Sequence, residues 1–220
     1  MEIESRDSVN LKPAELDEIG QLLASVNLPV DHALETQVES FPLVVLATHE
    51  EELHGFMFGS LERIGGTPCI LWALGAVRKG KNATTAVKGM TAELYRRAAI
   101  SFPDEDVLVG TRIAHTGGYS LFASLDDVVP RPGYIATGEE RAWGRRLAKR
   151  FGCDDRYDEK AFRTKKGRKA EPLFDTSAVK LGGKAATETI NGADSTKGES
   201  VITFGWATAE ALLDGLANPA

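Results

Sequence analysis

Apolar positions along the first half of the chain fall into blocks whose period switches from extended to helical and back. Glu2 to Val9 alternates loosely and suits an edge strand. Pro13 then opens a predicted helix over Ala14 to Val26, with Leu16, Ile19, Leu22 and Leu23 at helical spacing. A proline is tolerated in the first turn because its missing N–H has no intrahelical partner there. A second short helix is predicted over Asp31 to Glu39, with Asp31 as its N-cap. Phe41 to Thr48 is a strand rich in branched apolar residues, and His49 to Glu52 makes the acidic turn after it. Leu53 to Arg63, the Gly65-Gly66 loop and Pro68 to Val77 then give the second and third of three consecutive strands. Strands following one another without intervening helices favour a mixed, antiparallel-rich sheet over a doubly wound parallel one.

Asn82 to Ile100 has the longest helical pattern. Ala83, Ala86, Val87, Met90, Leu94 and Ala98 form one stripe, and Pro103 stops it. Asp106 to Ile113 reads as a buried strand, and Tyr119 to Leu125 as a short helix. Beyond Leu125 the character changes. Val128 to Gly133 is a stiff, proline-bearing connector. Glu139 to Phe151 is a helix with Trp143, Leu147 and Phe151 on one face and Gly152 as its C-terminal cap. Residues 176–200, poor in apolar side chains, suggest a mobile loop or weak hairpin, followed by a strand over Ser200 to Trp206 and a terminal helix over Ala207 to Leu216, capped by Thr208. The expected organisation is a core over 1–125 and a C-terminal extension over 126–220 packed on it.

Composition narrows the function classes. The chain has 220 residues, 42% hydrophobic and 26% charged, with a formal charge of -6, which is ordinary for a globular protein and argues against nucleic acid as the main partner. No apolar run approaches a membrane span, and the acidic Met1-Glu2-Ile3-Glu4 start lacks the features of a secretory signal, so the expected location is cytoplasmic. Cys69 and Cys153 lie far apart without CxxC spacing, and His49 and His54 fit neither a metal-binding helix nor a strand face. No metal is expected.

The chemistry concentrates where the strand ending in Gly75-Ala76-Val77 runs into Arg78-Lys79-Gly80-Lys81-Asn82-Ala83-Thr84-Thr85 and the long helix. A helix start leaves backbone N–H groups unpaired and carries about half a positive charge. Small side chains at Gly80, Ala83 and Thr84 let a phosphate approach those amides, while Arg78, Lys79 and Lys81 add charge. The spacing is neither a Walker loop nor a GxGxxG fingerprint.

This strand–turn–helix unit, with the element order from Glu2 to Leu125, resembles the GCN5-related N-acetyltransferase (GNAT) superfamily, as a divergent member. In that family an Arg/Gln-x-x-Gly-x-Gly/Ala turn holds the pyrophosphate of acetyl-CoA. Arg78 takes the first slot and Ala83 the third, while Lys81 stands in the glycine slot. The resemblance implies an α/β fold of the α+β kind, with acetyl-CoA as cosubstrate. Its pyrophosphate would lie on Arg78, Gly80, Lys81, Asn82, Ala83 and Thr84, and its pantetheine arm along Gly75, Ala76 and Val77. It also implies acetyl transfer to a small-molecule or peptide amine by direct attack, with Tyr119 and His115 as candidates for moving protons.

Alternatives stand beside this one. A non-catalytic protein on the same fold would bind a CoA-like ligand or a partner. The basic run Arg163 to Lys169 holds five cations in seven residues. It reads either as a solvated loop or as a contact for RNA, for an acidic substrate or for the CoA 3′-phosphate.

Overall fold

A computed structural model describes residues 1–29 and 32–214. One nine-stranded sheet runs through both halves of the chain. Its strands are β1 (Glu2–Asp7), β2 (Leu43–His49), β3 (Glu52–Ile64), β4 (Thr67–Val77), β5 (Val107–Ile113), β6 (Asp126–Val129), β7 (Tyr157–Asp158), β8 (Arg163–Thr164) and β9 (Ser200–Ala207), in the spatial order β1-β2-β3-β4-β5-β9-β8-β7 with β6 also on β9. Every strand pairing is antiparallel except that of β4 with β5. The architecture is the mixed, antiparallel-rich sheet flanked by helices that the element order implies.

Side-chain alternation splits the strands between two apolar layers. Val45, Ala47, Ile70, Trp72 and Val109 face a layer completed by helix α3 (Ala83–Ser101) and the shorter α4 (Thr116–Ser120), α6 (Lys184–Ile190) and α7 (Ala209–Asp214). Val44, Leu46, Cys69, Leu71 and Leu108 face the other layer, built by α1 (Pro13–Ser25), α2 (His32–Ser40) and α5 (Gly138–Arg150). The period of two along each strand requires this division. The stripe from Ala83 to Ala98 on α3 is buried as its spacing predicts. Thr137 and Glu140 cap α5 reciprocally, each side chain accepting from the other's backbone N–H.

Some elements differ from the sequence reading. The short helix near Tyr119 starts earlier, at Thr116, and Val128 and Val129 of the expected connector belong to β6, which pairs with β9. The stretch expected to be a mobile loop contains α6, because Ala186 and Ile190, four residues apart, both bury against α4 and the core. Ala207 belongs to β9 rather than to the terminal helix. Asp31, the expected N-cap, lies outside the described residues, as do Gly215 and Leu216 of that helix. No helix among the described residues is long and apolar enough to cross a membrane.

Candidate functional site

β4 and β5 pair only from Cys69 to Trp72 on one strand and Leu108 to Thr111 on the other. Beyond that point they part. β4 is also bulged there: Met57 opposes Gly75 but Gly59 opposes Trp72, so three steps on β4 match two on β3. The Leu74 N–H turns to the Gln37 side chain of α2, 3.3 Å away. The bulge and the parting together bring the end of β4 to the rim of a cavity of about 730 Å³. Gln21 and Asn27 from the end of α1, Arg78 and Lys79 from the end of β4, and His115 and Asp175 line it.

The start of α3 lies at the same end. Asn82 makes no side-chain capping bond, and Arg78, Lys79, Gly80 and Lys81 are exposed while Thr84 is half-buried. Ala83 is buried in the core, and its N–H donates to the Gly80 carbonyl at 3.3 Å. Arg78 is fixed at both ends of its residue, its N–H donating to the His54 carbonyl at 2.7 Å and its Nε to the Leu53 carbonyl at 3.1 Å. Burial, aided by the neighbouring Arg78 charge, holds the His54 imidazole below its usual range, so this corner keeps its cation on Arg78. The arrangement suits an anion approaching the helix start.

His115 follows β5 after Ala114 and faces Asp175. Its Nδ1 is buried without a hydrogen bond among the described residues and lies 3.7 Å from Asp175 Oδ2, too far for one. The other carboxylate oxygen accepts from the Ser177 N–H at 2.9 Å and from its hydroxyl at 2.6 Å. Tyr119 is not brought to this cavity. Its ring is buried on α4 and its hydroxyl donates to the Pro130 carbonyl at 3.0 Å, beside a separate cavity of about 390 Å³.

The expected donor strand carries a surprise. Ala76 and Val77 point into the two core layers. Gly75 has both backbone groups engaged: its N–H donates to the Leu173 carbonyl at 3.2 Å, and its carbonyl accepts from the Asp175 N–H at 2.8 Å. From the other side the Phe174 N–H donates to the Arg112 carbonyl of β5 at 3.0 Å. Leu173 to Asp175 therefore lies between the parted strands as a short parallel insert. Sequence reasoning missed this segment, and with it Asp175 and Ser177. One signal was present, since an arginine inside the apolar strand Val107 to Ile113 demands a buried partner.

That partner is Glu171. Arg112 is buried, its Nη2 lies 2.6 Å from Glu171 Oε2, and its Nε donates to the Ser200 hydroxyl at 2.6 Å. Glu171 is shared with Arg156. Cys69 and Cys153 are free and buried, and desolvation pushes both thiols up to about 11. In the basic run Lys165, Lys166, Arg168 and Lys169 are exposed, Arg163 and Gly167 half-buried and Thr164 buried, and its first two residues form β8.

No protein-family model and no curated protein matches the sequence. Solved structures do. The chain is similar to the aminoglycoside 6'-N-acetyltransferase from Enterococcus faecium, at 13% identity, over 95% of this chain and 97% of that one, with a TM-score of 0.47. It is similar to an aminoglycoside 6'-N-acetyltransferase complexed with coenzyme A, at 21% identity, over 53% of this chain and 65% of that one, with a TM-score of 0.40. A third is a GNAT family acetyltransferase from Brucella melitensis in complex with acetyl-CoA, at 15% identity, over 49% of this chain and 75% of that one, with a TM-score of 0.34.

Proposed function

We propose that the chain is an acyl-CoA-dependent N-acyltransferase, moving an acetyl or similar acyl group from its CoA thioester to an amine. One observation carries this reading: Arg78 and Lys79, just ahead of an α3 start without a side-chain cap, line a cavity at the point where β4 and β5 part. The donor's pyrophosphate would rest on the backbone of Gly80 to Thr84, flanked by Arg78, Lys79 and Lys81. The acceptor amine would enter from the α1 side, past Gln21 and Asn27. In the reaction the amine nitrogen forms a bond to the thioester carbonyl carbon, the C–S bond breaks, and the thiolate leaves with CoA. The proton lost by the nitrogen would go to His115, whose ring stands at the cavity wall. With the Tyr119 hydroxyl committed to Pro130, the departing thiolate would take its proton from water in the cavity. The protein's main contribution would be positioning and fixed charge.

A second reading is favoured by the engagement of Gly75 with Leu173 and Asp175. In it the chain binds the phosphate end of a CoA-like ligand without turnover. Thermal unfolding with acetyl-CoA, CoA and ATP, followed by an assay of free thiol release with a panel of amines, separates the two. A ligand at 100 times its Kd adds about 2.7 kcal/mol of stability. The transferase reading expects stabilisation by CoA species and thiol release with at least one amine. It also expects Lys79→Glu, a change on an exposed side chain, to weaken CoA about tenfold through lost charge attraction. Stabilisation with no thiol release from any amine favours the second reading, and an unchanged CoA affinity in Lys79→Glu removes the proposed phosphate site.

A further inference from the structure

We infer that Leu173 to Asp175 is a self-supplied strand occupying the place of the donor's extended arm, so that ligand and segment compete for one cleft. This rests on the reading of the β4 end as the donor strand.

Three observations support the competition. First, the segment uses the hydrogen-bonding groups that face the gap: the N–H and carbonyl of Gly75 on β4 and the carbonyl of Arg112 on β5. An arm containing secondary amides would pair with those same groups, and one set of donors and acceptors cannot serve two chains. Second, the segment fills the gap with a side chain. Phe174 is fully buried and meets the Trp72 ring edge-on, with centroids 6.1 Å apart. Gly75 makes that fit possible, because a Cβ there would lie 2.9 Å from the Phe174 ring and 2.8 Å from the Phe56 carbonyl oxygen. Third, the segment is held at its two ends rather than through a regular strand. Glu171 and the Pro172 carbonyl bind Arg112 at one end, and at the other Val179 packs against Gly117 after a turn closed by the Val179 N–H on the Thr176 carbonyl.

The insert pairs with Gly75 as an isolated bridge rather than a ladder. Its anchorage between the two ends is therefore the buried side chains of Leu173 and Phe174, one in each core layer, and three backbone bonds. A ligand needing the cleft binds only the fraction of molecules in which the insert has withdrawn, and its apparent affinity falls by that fraction. A ligand that needs the helix start alone is indifferent to the insert.

The test compares CoA with ADP, which has a diphosphate and no arm, by calorimetric titration of wild type, Phe174→Leu and Phe174→Ala. Weakening the anchor is expected to raise CoA affinity, about threefold in Phe174→Leu and about tenfold or more in Phe174→Ala, while ADP affinity stays constant. Phe174→Leu keeps an apolar side chain of similar reach, and its unfolding transition reports that the fold survives. CoA binding equally well to wild type and Phe174→Leu overturns the competition and leaves the proposed function standing. A parallel loss of CoA and ADP affinity also overturns it, since Phe174 would then be packing alone. No binding of either probe to any of the three proteins removes the proposed function, and the competition with it.

Discussion

The two ends of the β4–β5 pair solve one packing problem differently. At the Cys69–Trp72 end the strands bond directly, and the space beside Gly110 on β5 is filled by Leu147 of α5. At the Gly75 end they part, and the space is filled by backbone as well as side chain from a segment a hundred residues later in sequence. The paired end is sustained by ladder bonds and dispersion. The parted end depends on a buried arginine paired with a partly exposed glutamate, a single aromatic anchor and a glycine with no room for a Cβ. Interiors so constructed have few alternative packings, and loss of one part exposes the others.

The ion pair offers the largest test of that contrast. Glu171→Ala leaves the Arg112 guanidinium as a buried charge whose remaining partners are neutral oxygens, and should cost about 3–5 kcal/mol. Arg112→Met removes the charge itself and leaves Glu171 with Arg156, so its cost should be clearly smaller. Urea unfolding of both variants reads the order directly. Equal losses would mean that the pair contributes only bulk, and that the parted end is no more specialised than the paired one.

A glycine comparison follows, with a middle-sized effect. In Gly75→Ala the new methyl would meet the Phe56 carbonyl oxygen at 2.8 Å, a backbone atom that cannot swing away, and the cost expected is about 1–3 kcal/mol. In Gly110→Ala it would meet the two Leu147 methyls at 3.0 and 3.1 Å, the far end of a flexible side chain. That cost should be under about 1 kcal/mol, since the leucine can turn. Thermal unfolding that ranks the two variants the other way round would undo the distinction between a rigid and a yielding wall.

The same contrast governs what could be read from the chain. Elements with a strong period were legible: α3 from its stripe of Ala, Val, Met and Leu, the β2–β3–β4 meander from its turns, and the cationic helix start from Arg78 to Thr84. The parted end was not. Leu173-Phe174 is too short to show a period, and its partners on β4 and β5 are contributed by backbone, which leaves no trace in residue identity. Tyr119 and His115 are near in sequence, yet α4 starts at Thr116 and turns Tyr119 towards Pro130. Only Arg112, a cation inside an apolar strand, carried a signal that a distant acid had to arrive.

A smaller effect should come from the helix that begins at the parted end. α3 is tied to the sheet edge through Glu93, which accepts from Arg96 at 2.7 Å and from the Ser5 hydroxyl, while Arg97 donates to the Ser5 carbonyl at 2.8 Å. The Arg96 bond is the leading reason that the Glu93 carboxyl is held below its ordinary 4.5, with Ser5 and Arg97 adding to it. A depressed folded-state value means that the unfolded chain binds the proton more readily. The stabilisation is therefore present in full above about pH 4.5 and is lost as the pH falls through the lower folded value. Glu93→Gln should lower stability at neutral pH by under about 1 kcal/mol, as expected for a partly solvated ion pair, and the gap from wild type should close on acidification. Unfolding free energies measured from neutral pH into the acid range check this. A gap that stays constant would assign Glu93 a packing role alone, and would leave the orientation of the α3 start to the apolar stripe rather than to its charged tie.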